Sequence, residues 1–188
     1  GYFVSRNQVV VGTGAKYILY TFFTTVLDPG DEVIIPSPCW VSYVDQVKMV
    51  GGVPVTVATT QKNHFKVTVE QLEAARTDKT KVILLNSPSN PTGMIYTRDE
   101  LEAIGNWAVA NGILILADDI YGRLVYNGNV FTPISSISEA IREHTIVVNG
   151  LSKTYAMTGW RVGFAVGNED IIAGMAKVIS QTTSNLTT

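Results

Sequence analysis

Short apolar runs alternate with segments of helical period along the whole chain. Gln8 to Val11 is an apolar run ending in Gly12-Thr13-Gly14-Ala15-Lys16, and Tyr17 to Leu27 is then apolar almost without a break as far as Asp28-Pro29-Gly30. That pattern reads as strand, glycine turn, buried helix and a Pro-Gly stop. Glu32 to Pro36 and Val53 to Val57 are the next strands, and between them Val41, Val44, Val47, Met49 and Val50 recur at helical spacing. Thr68-Val-Glu-Gln71 and Thr97-Arg-Asp-Glu100 have the spacing of capping boxes and predict helices running to Arg76 and to Asn111. Lys81 to Leu85, Ile113 to Ala117, Thr145 to Val148 and Val162 to Val166 complete the strands, with a short helix near Ser138 to Arg142 and another after the last strand.

The predicted strands are continuously apolar rather than alternating, and helices separate them. Such strands belong to a sheet covered on both faces, so the fold class is α/β, a three-layer α/β/α arrangement around a mostly parallel seven-stranded sheet. The link from Gly150 to Arg161 is barely long enough for a crossover and has no strong helical pattern, which predicts that the last strand runs antiparallel. One domain is expected across 1–188. The abrupt start and the unpunctuated stretch from Ser180 to Thr188 lead us to expect a piece of a longer protein.

Composition narrows the function. Hydrophobic residues make up 46% and charged residues only 16%, below the quarter usual for a free-standing domain. Either much of the chain is buried on both sides, or part of its surface faces another domain or subunit. The net charge is −2 with scattered basic residues, so no nucleic-acid or polybasic membrane surface is expected. Val9 to Leu27 is too interrupted by glycine, lysine and threonine to span a bilayer, and no signal peptide is recognisable, so a cytoplasmic protein is expected. Cys39 stands alone, and His64 and His144 lie in polar surroundings, so neither a disulfide nor a metal site is expected. The Asn185-Leu-Thr187 sequon has no meaning in such a protein.

The residues just past the strand ends are the unusual ones: Gly12 to Lys16, Ser37 to Trp40, Asn90, Asp118 to Tyr121, and Ser152 with Lys153. In an open parallel sheet those positions converge on one edge, where ligands bind. Gly14-Ala15-Lys16 at a helix start offers backbone N–H groups to a phosphate, or simply makes a tight turn. Trp40 could present a face to a planar ring or pack in the core. Asp118 follows an apolar strand, where a carboxylate needs a cation, a protonated ring nitrogen or a helix to cap. Tyr121 could carry a hydroxyl to the same ligand or pack. Arg161 has a fork that matches phosphate, although a surface ion pair would also use it. Lys153, on a glycine-rich turn behind an apolar strand, is placed to hold an aldehyde cofactor.

Together these residues resemble a known family. Asn-Pro-Thr-Gly at 90–93, Asp-x-x-Tyr at 118–121 and Ser-Lys-x-x-x-x-x-Gly-x-Arg at 152–161 are similar to the signatures of the pyridoxal-phosphate-dependent aminotransferases of fold type I, class I, across essentially the whole chain. Ser-Pro-Cys-Trp-Val-Ser-Tyr and Ala-Met-Thr-Gly-Trp-Arg-Val-Gly are similar to the aspartate aminotransferases of subgroup Ib, except that Cys39 stands where a bulkier aromatic is common. The resemblance implies a pyridoxal 5'-phosphate cofactor bound as a Schiff base to Lys153, which then carries the proton. It implies that Asp118 partners the ring nitrogen, that Asn90 and Tyr121 reach the 3-oxygen, and that Trp40 stacks on the ring. Gly14, Ala15, Lys16, Ser152 and Arg161 then form the phosphate cup. Catalysis would rest on Lys153, Asp118 and Tyr121.

The implied reaction is amino transfer between an amino acid, with aspartate the first choice, and 2-oxoglutarate, in a protein that is a homodimer at full length. The family's substrate-carboxylate arginine and its cross-subunit phosphate tyrosine have no counterpart within these residues, so the 188-residue chain is expected to hold cofactor and to turn over poorly. A lyase that breaks a Cβ–S or Cγ bond on the same cradle, and an aminotransferase-like module of a transcriptional regulator, are the competing readings.

Overall fold

A computed structural model of the chain describes residues 2–183 with 185 and 186. Gly1, Ser184, Thr187 and Thr188, which fall within the expected domain and the sequon, lie outside the described residues. Strands β1 (Val9–Gly12), β2 (Glu32–Ser37), β3 (Val53–Ala58), β4 (Thr80–Asn86), β5 (Leu114–Asp118), β6 (Thr145–Gly150) and β7 (Gly163–Val166) form one sheet in the order β1-β7-β6-β5-β4-β2-β3. Pairings among β2 to β6 are parallel, and β7 runs antiparallel to both β1 and β6. The expected antiparallel last strand is therefore present. The β6–β7 link closes back on itself too soon to cross the sheet.

Helices α1 (Ala15–Val26), α2 (Val41–Met49) and α6 (Glu169–Thr182) cover one face. Helices α3 (Val69–Ala75), α4 (Arg98–Ala110) and α5 (Glu139–Glu143) belong to the other. Successive residues of a strand point to opposite faces. Accordingly Val33 and Ile35, Val82 and Leu84, and Leu116 join the α1/α2/α6 core, while Ile34, Ile83, Leu85, Ile115 and Ala117 join the α3/α4/α5 core. The unbroken apolar runs read from the sequence are this double burial.

Both capping boxes form. The Thr68 hydroxyl accepts from Gln71 N–H and the Gln71 side chain accepts from Thr68 N–H; Thr97 and Glu100 do the same at α4. The structure differs from the sequence expectation at a few ends. Helix α1 starts two residues early, at Ala15, because Gly14 adopts φ +95° and serves as its N-cap. Strand β1 extends to Gly12, paired with Gly163, and the polar stretch after β3 contains a single 3-10 turn, Gln61–Asn63. Among the described residues no helix is long and apolar enough to cross a membrane.

Candidate active site

Because β1 to β6 point the same way and β7 begins where they end, the glycine turn, Trp40, Asn90, Asp118, Lys153 and Arg161 emerge at one edge of the sheet. They surround a cavity of about 230 Å³. Its walls include Ala15, Lys16, Trp40, Asn90, Asp118, Tyr121, Ser152, Lys153 and Arg161, and also Tyr43, Ile120 and Thr158.

Asp118 forms the floor. It follows Ala117 on β5, so the two-residue period turns its side chain to the Leu116 face, under α2. Only 2% of the residue is exposed. One carboxylate oxygen accepts from the Tyr43 hydroxyl at 2.7 Å and the other from Ile120 N–H at 3.2 Å. Burial pushes its pKa up to about 6, against the pull of those two donors. Burial, reinforced by the Asp118 charge, pushes Asp119 well above the ordinary carboxylate range. A carboxylate held this way is ready for a cation or a protonated ring nitrogen.

The side wall begins at the end of β4. Asn86 donates to the Asp118 carbonyl at 2.8 Å and accepts from Asn90 N–H at 2.7 Å, so a single amide ties the Asn90 turn to β5. Burial and then the Asp118 charge raise the Tyr121 phenol, with the neighbouring Asn90 side chain opposing. Across the cavity the Trp40 ring stands edge-on to Tyr43, centroids 5.3 Å apart, with the Lys16 ammonium 4.8 Å from its centroid.

The rim opposite Asp118 is an anion cup. Helix α1 has no side-chain cap, and the N–H groups of Ala15 and Lys16 find no acceptor among the described residues. The positive end of a 12-residue helix therefore opens into the cavity. Arg161 sits against Gly14: a Cβ there would lie 2.5 Å from Nη2. A Cβ at Gly163 would overlap the backbone of Gly14 and Ala15. The two glycines are what allow the start of β7 to bring its arginine onto the helix terminus. Arg161 itself takes the left-handed conformation, φ 52°, a strain that non-glycine residues accept where the surroundings enforce it. Its guanidinium donates to the Thr158 carbonyl at 3.0 Å, and the Thr158 hydroxyl donates to the Ser152 carbonyl at 3.2 Å.

One sequence expectation changes here. The Gly14 N–H is not free, because it is spent on the Gly12 carbonyl at 2.8 Å; Gly14 supplies clearance for Arg161 instead. Lys153 is exposed just past the end of β6. Tyr43, Asn86 and Thr158 were not foreseen. Each acts through another residue, Tyr43 and Asn86 through Asp118 and Thr158 through Arg161 and Ser152, and it was those residues, not their supports, that had a sequence signal.

The family model described as aminotransferase class I and II matches residues 2–188. The chain belongs to that family. An asparagine–oxo-acid transaminase of Streptococcus mutans is 71% identical to this aminotransferase chain over all of it, and an aspartate aminotransferase of Bacillus sp. (strain YM-2) is 56% identical over 97% of it. The crystal structure of the aspartate aminotransferase from Rhizobium meliloti superposes with a TM-score of 0.95 at 43% identity, covering 98% of this chain and 46% of that one. The chain spans about half the length of the curated relatives it matches, 48% and 46% of these two.

Aminotransferases of this family are pyridoxal-phosphate dependent. The cavity fits that group on its own terms. It offers unpaired N–H groups and a guanidinium at one end for a phosphate, a buried carboxylate at the other for a ring nitrogen, an indole on one side and an exposed primary amine.

Proposed function

We propose that residues 1–188 are the cofactor-binding large domain of an aminotransferase that exchanges an amino group between an amino acid, aspartate in the first instance, and 2-oxoglutarate. The observation that carries this is the placement of Lys153, buried Asp118 and the Arg161–α1 anion cup around one cavity. When bound, pyridoxal phosphate supplies an aldehyde that takes up amines and a ring that accepts the electron pair left at the substrate α-carbon.

The protein's share is positioning and proton traffic. The N–H groups of Ala15 and Lys16, with the Arg161 guanidinium and Ser152, would hold the phosphate end. Asp118 would keep a proton on the ring nitrogen, which would make the ring the better electron acceptor. Asn90 and Tyr121 would donate to the ring oxygen, and Trp40 would cover the ring face. Lys153 would hold the cofactor through Nζ and, as a free amine, would take and return the proton of the substrate α-carbon. Over a full cycle the donor amino acid would become its 2-oxo acid and 2-oxoglutarate would become glutamate, the amino group lost by one being taken up by the other.

Asparagine is the second reading for the amino donor, favoured by the name of the Streptococcus mutans relative at 71% identity. The whole protein would act as a cytoplasmic homodimer. Product analysis of the whole protein with each donor and 2-oxoglutarate tests the reading. Oxaloacetate or 2-oxosuccinamate formed in step with glutamate is the expected result; pyruvate and ammonia without glutamate would make it a lyase.

A further inference from the structure

Tyr43 closes the Ser-Pro-Cys-Trp-Val-Ser-Tyr stretch that contains Trp40, but no role was assigned to it there. Helix α2 buries it to 1% exposure, yet its hydroxyl is fully used: it donates to Asp118 Oδ2 at 2.7 Å. Among the described residues it is the only side-chain donor to that carboxylate, whose other oxygen takes a longer bond, 3.2 Å, from Ile120 N–H. A buried carboxylate without donors gives up its charge, and a rotamer without restraint gives up its aim. The Tyr43 ring is itself fixed, edge-on to Trp40 and packed in the α1/α2 core, so the hydroxyl cannot swing away.

We propose that Tyr43 is a positioning residue, holding the Asp118 carboxylate charged and turned into the cavity through a single short hydrogen bond from α2. This rests on the cofactor reading above, in which Asp118 addresses a ring nitrogen. The other ionisable groups around the carboxylate are Lys16 from α1, Asp119 and Tyr121 after β5, Lys153 after β6 and Arg161 before β7. None of them appears among its hydrogen-bond partners, which leaves the charge state of Asp118 chiefly to burial and to Tyr43.

The test is an infrared titration of the carboxyl bands of the cofactor-free protein, with Asp118 assigned by its loss in Asp118→Asn. Tyr43→Phe keeps the ring and removes only the donor. It should raise the pH at which Asp118 ionises by about one to two units, the shift a hydrogen bond to a charged group is worth. It should also weaken pyridoxal phosphate binding about tenfold, one such unit carried into affinity, with affinity for inorganic phosphate at the cup unchanged. An unshifted Asp118 titration in folded Y43F overturns the proposal. A shifted titration with no uptake of pyridoxal phosphate by the unmodified protein upholds the coupling and overturns the cofactor reading instead. Should Y43F not fold, D118N gives the reciprocal measurement. The Tyr43 phenol, held up by burial and then by Asp118, should ionise at lower pH in D118N, and an unmoved phenol overturns the proposal.

Discussion

Asp118 carries a cost that makes its role measurable. With the folded pKa raised to about 6 from 3.8, the folded protein binds a proton that the unfolded chain releases. Its contribution is therefore most favourable at or below pH 3.8 and is lost as pH rises through about 6. A two-unit rise corresponds to roughly 3 kcal/mol. Asp118→Asn should abolish that slope, so that in urea unfolding D118N gains on the cofactor-free parent by about 2–3 kcal/mol between pH 4 and pH 7. Equal pH dependence in the two proteins would mean that Asp118 is not the strained carboxylate of the site. Arg161 gives a complementary expectation. Arg161→Ala should weaken pyridoxal phosphate by about 10–100-fold, the worth of a charge-assisted hydrogen bond, and leave unphosphorylated pyridoxal unaffected. Titration calorimetry with the two ligands separates a phosphate contact from general damage.

At the scale of elements, the site depends on how closely β7 approaches the start of α1. Gly163→Ala places a methyl group inside the Gly14–Ala15 backbone, so it should cost about 1–3 kcal/mol as an overpacking change and remove cofactor binding by lifting Arg161 off the helix end. Thr97→Ala removes one cap of α4, far from the cavity; it should cost about 1 kcal/mol in thermal unfolding and leave cofactor affinity untouched. The cap was legible because its chemistry is local, a threonine and a glutamate three residues apart. So was the antiparallel β7, from the length of its link. The Gly163 contact was not legible, since nothing along the chain says that a glycine in one strand meets a turn about 150 residues earlier. The same holds for Tyr43, which looks like any aromatic on the buried face of a helix until β5 brings Asp118 beneath it. Residues expected to touch the cofactor stood out by type at strand ends, whereas Tyr43, Asn86 and Thr158, which act through a second residue, did not.

The whole molecule explains its sparse charge in two ways. Most strands are covered on both faces, and several large apolar side chains still face outward: Val41 and Met49 on α2 at 71% and 70% exposure, and Tyr155 and Trp160 in the β6–β7 link at 63% and 55%. Met49 and Arg161 share a second cleft of about 410 Å³ with Tyr17 and Tyr20 on α1. We read this side as the surface that meets the second copy in the proposed homodimer, so Val41→Glu with Met49→Glu should lower the sedimentation-derived mass of the whole protein toward the monomer; an unchanged dimer would place the interface elsewhere. What unites the three scales is a sheet edge that gathers residues from the ends of β1, β2, β4, β5 and β6 and the start of β7 around Lys153. Borohydride reduction of the protein loaded with pyridoxal phosphate, followed by peptide mass mapping, tests that most directly. The account predicts a single phosphopyridoxyl group on Lys153, absent in Lys153→Ala; a label on Lys16 or another lysine, or one that survives the substitution, would contradict it.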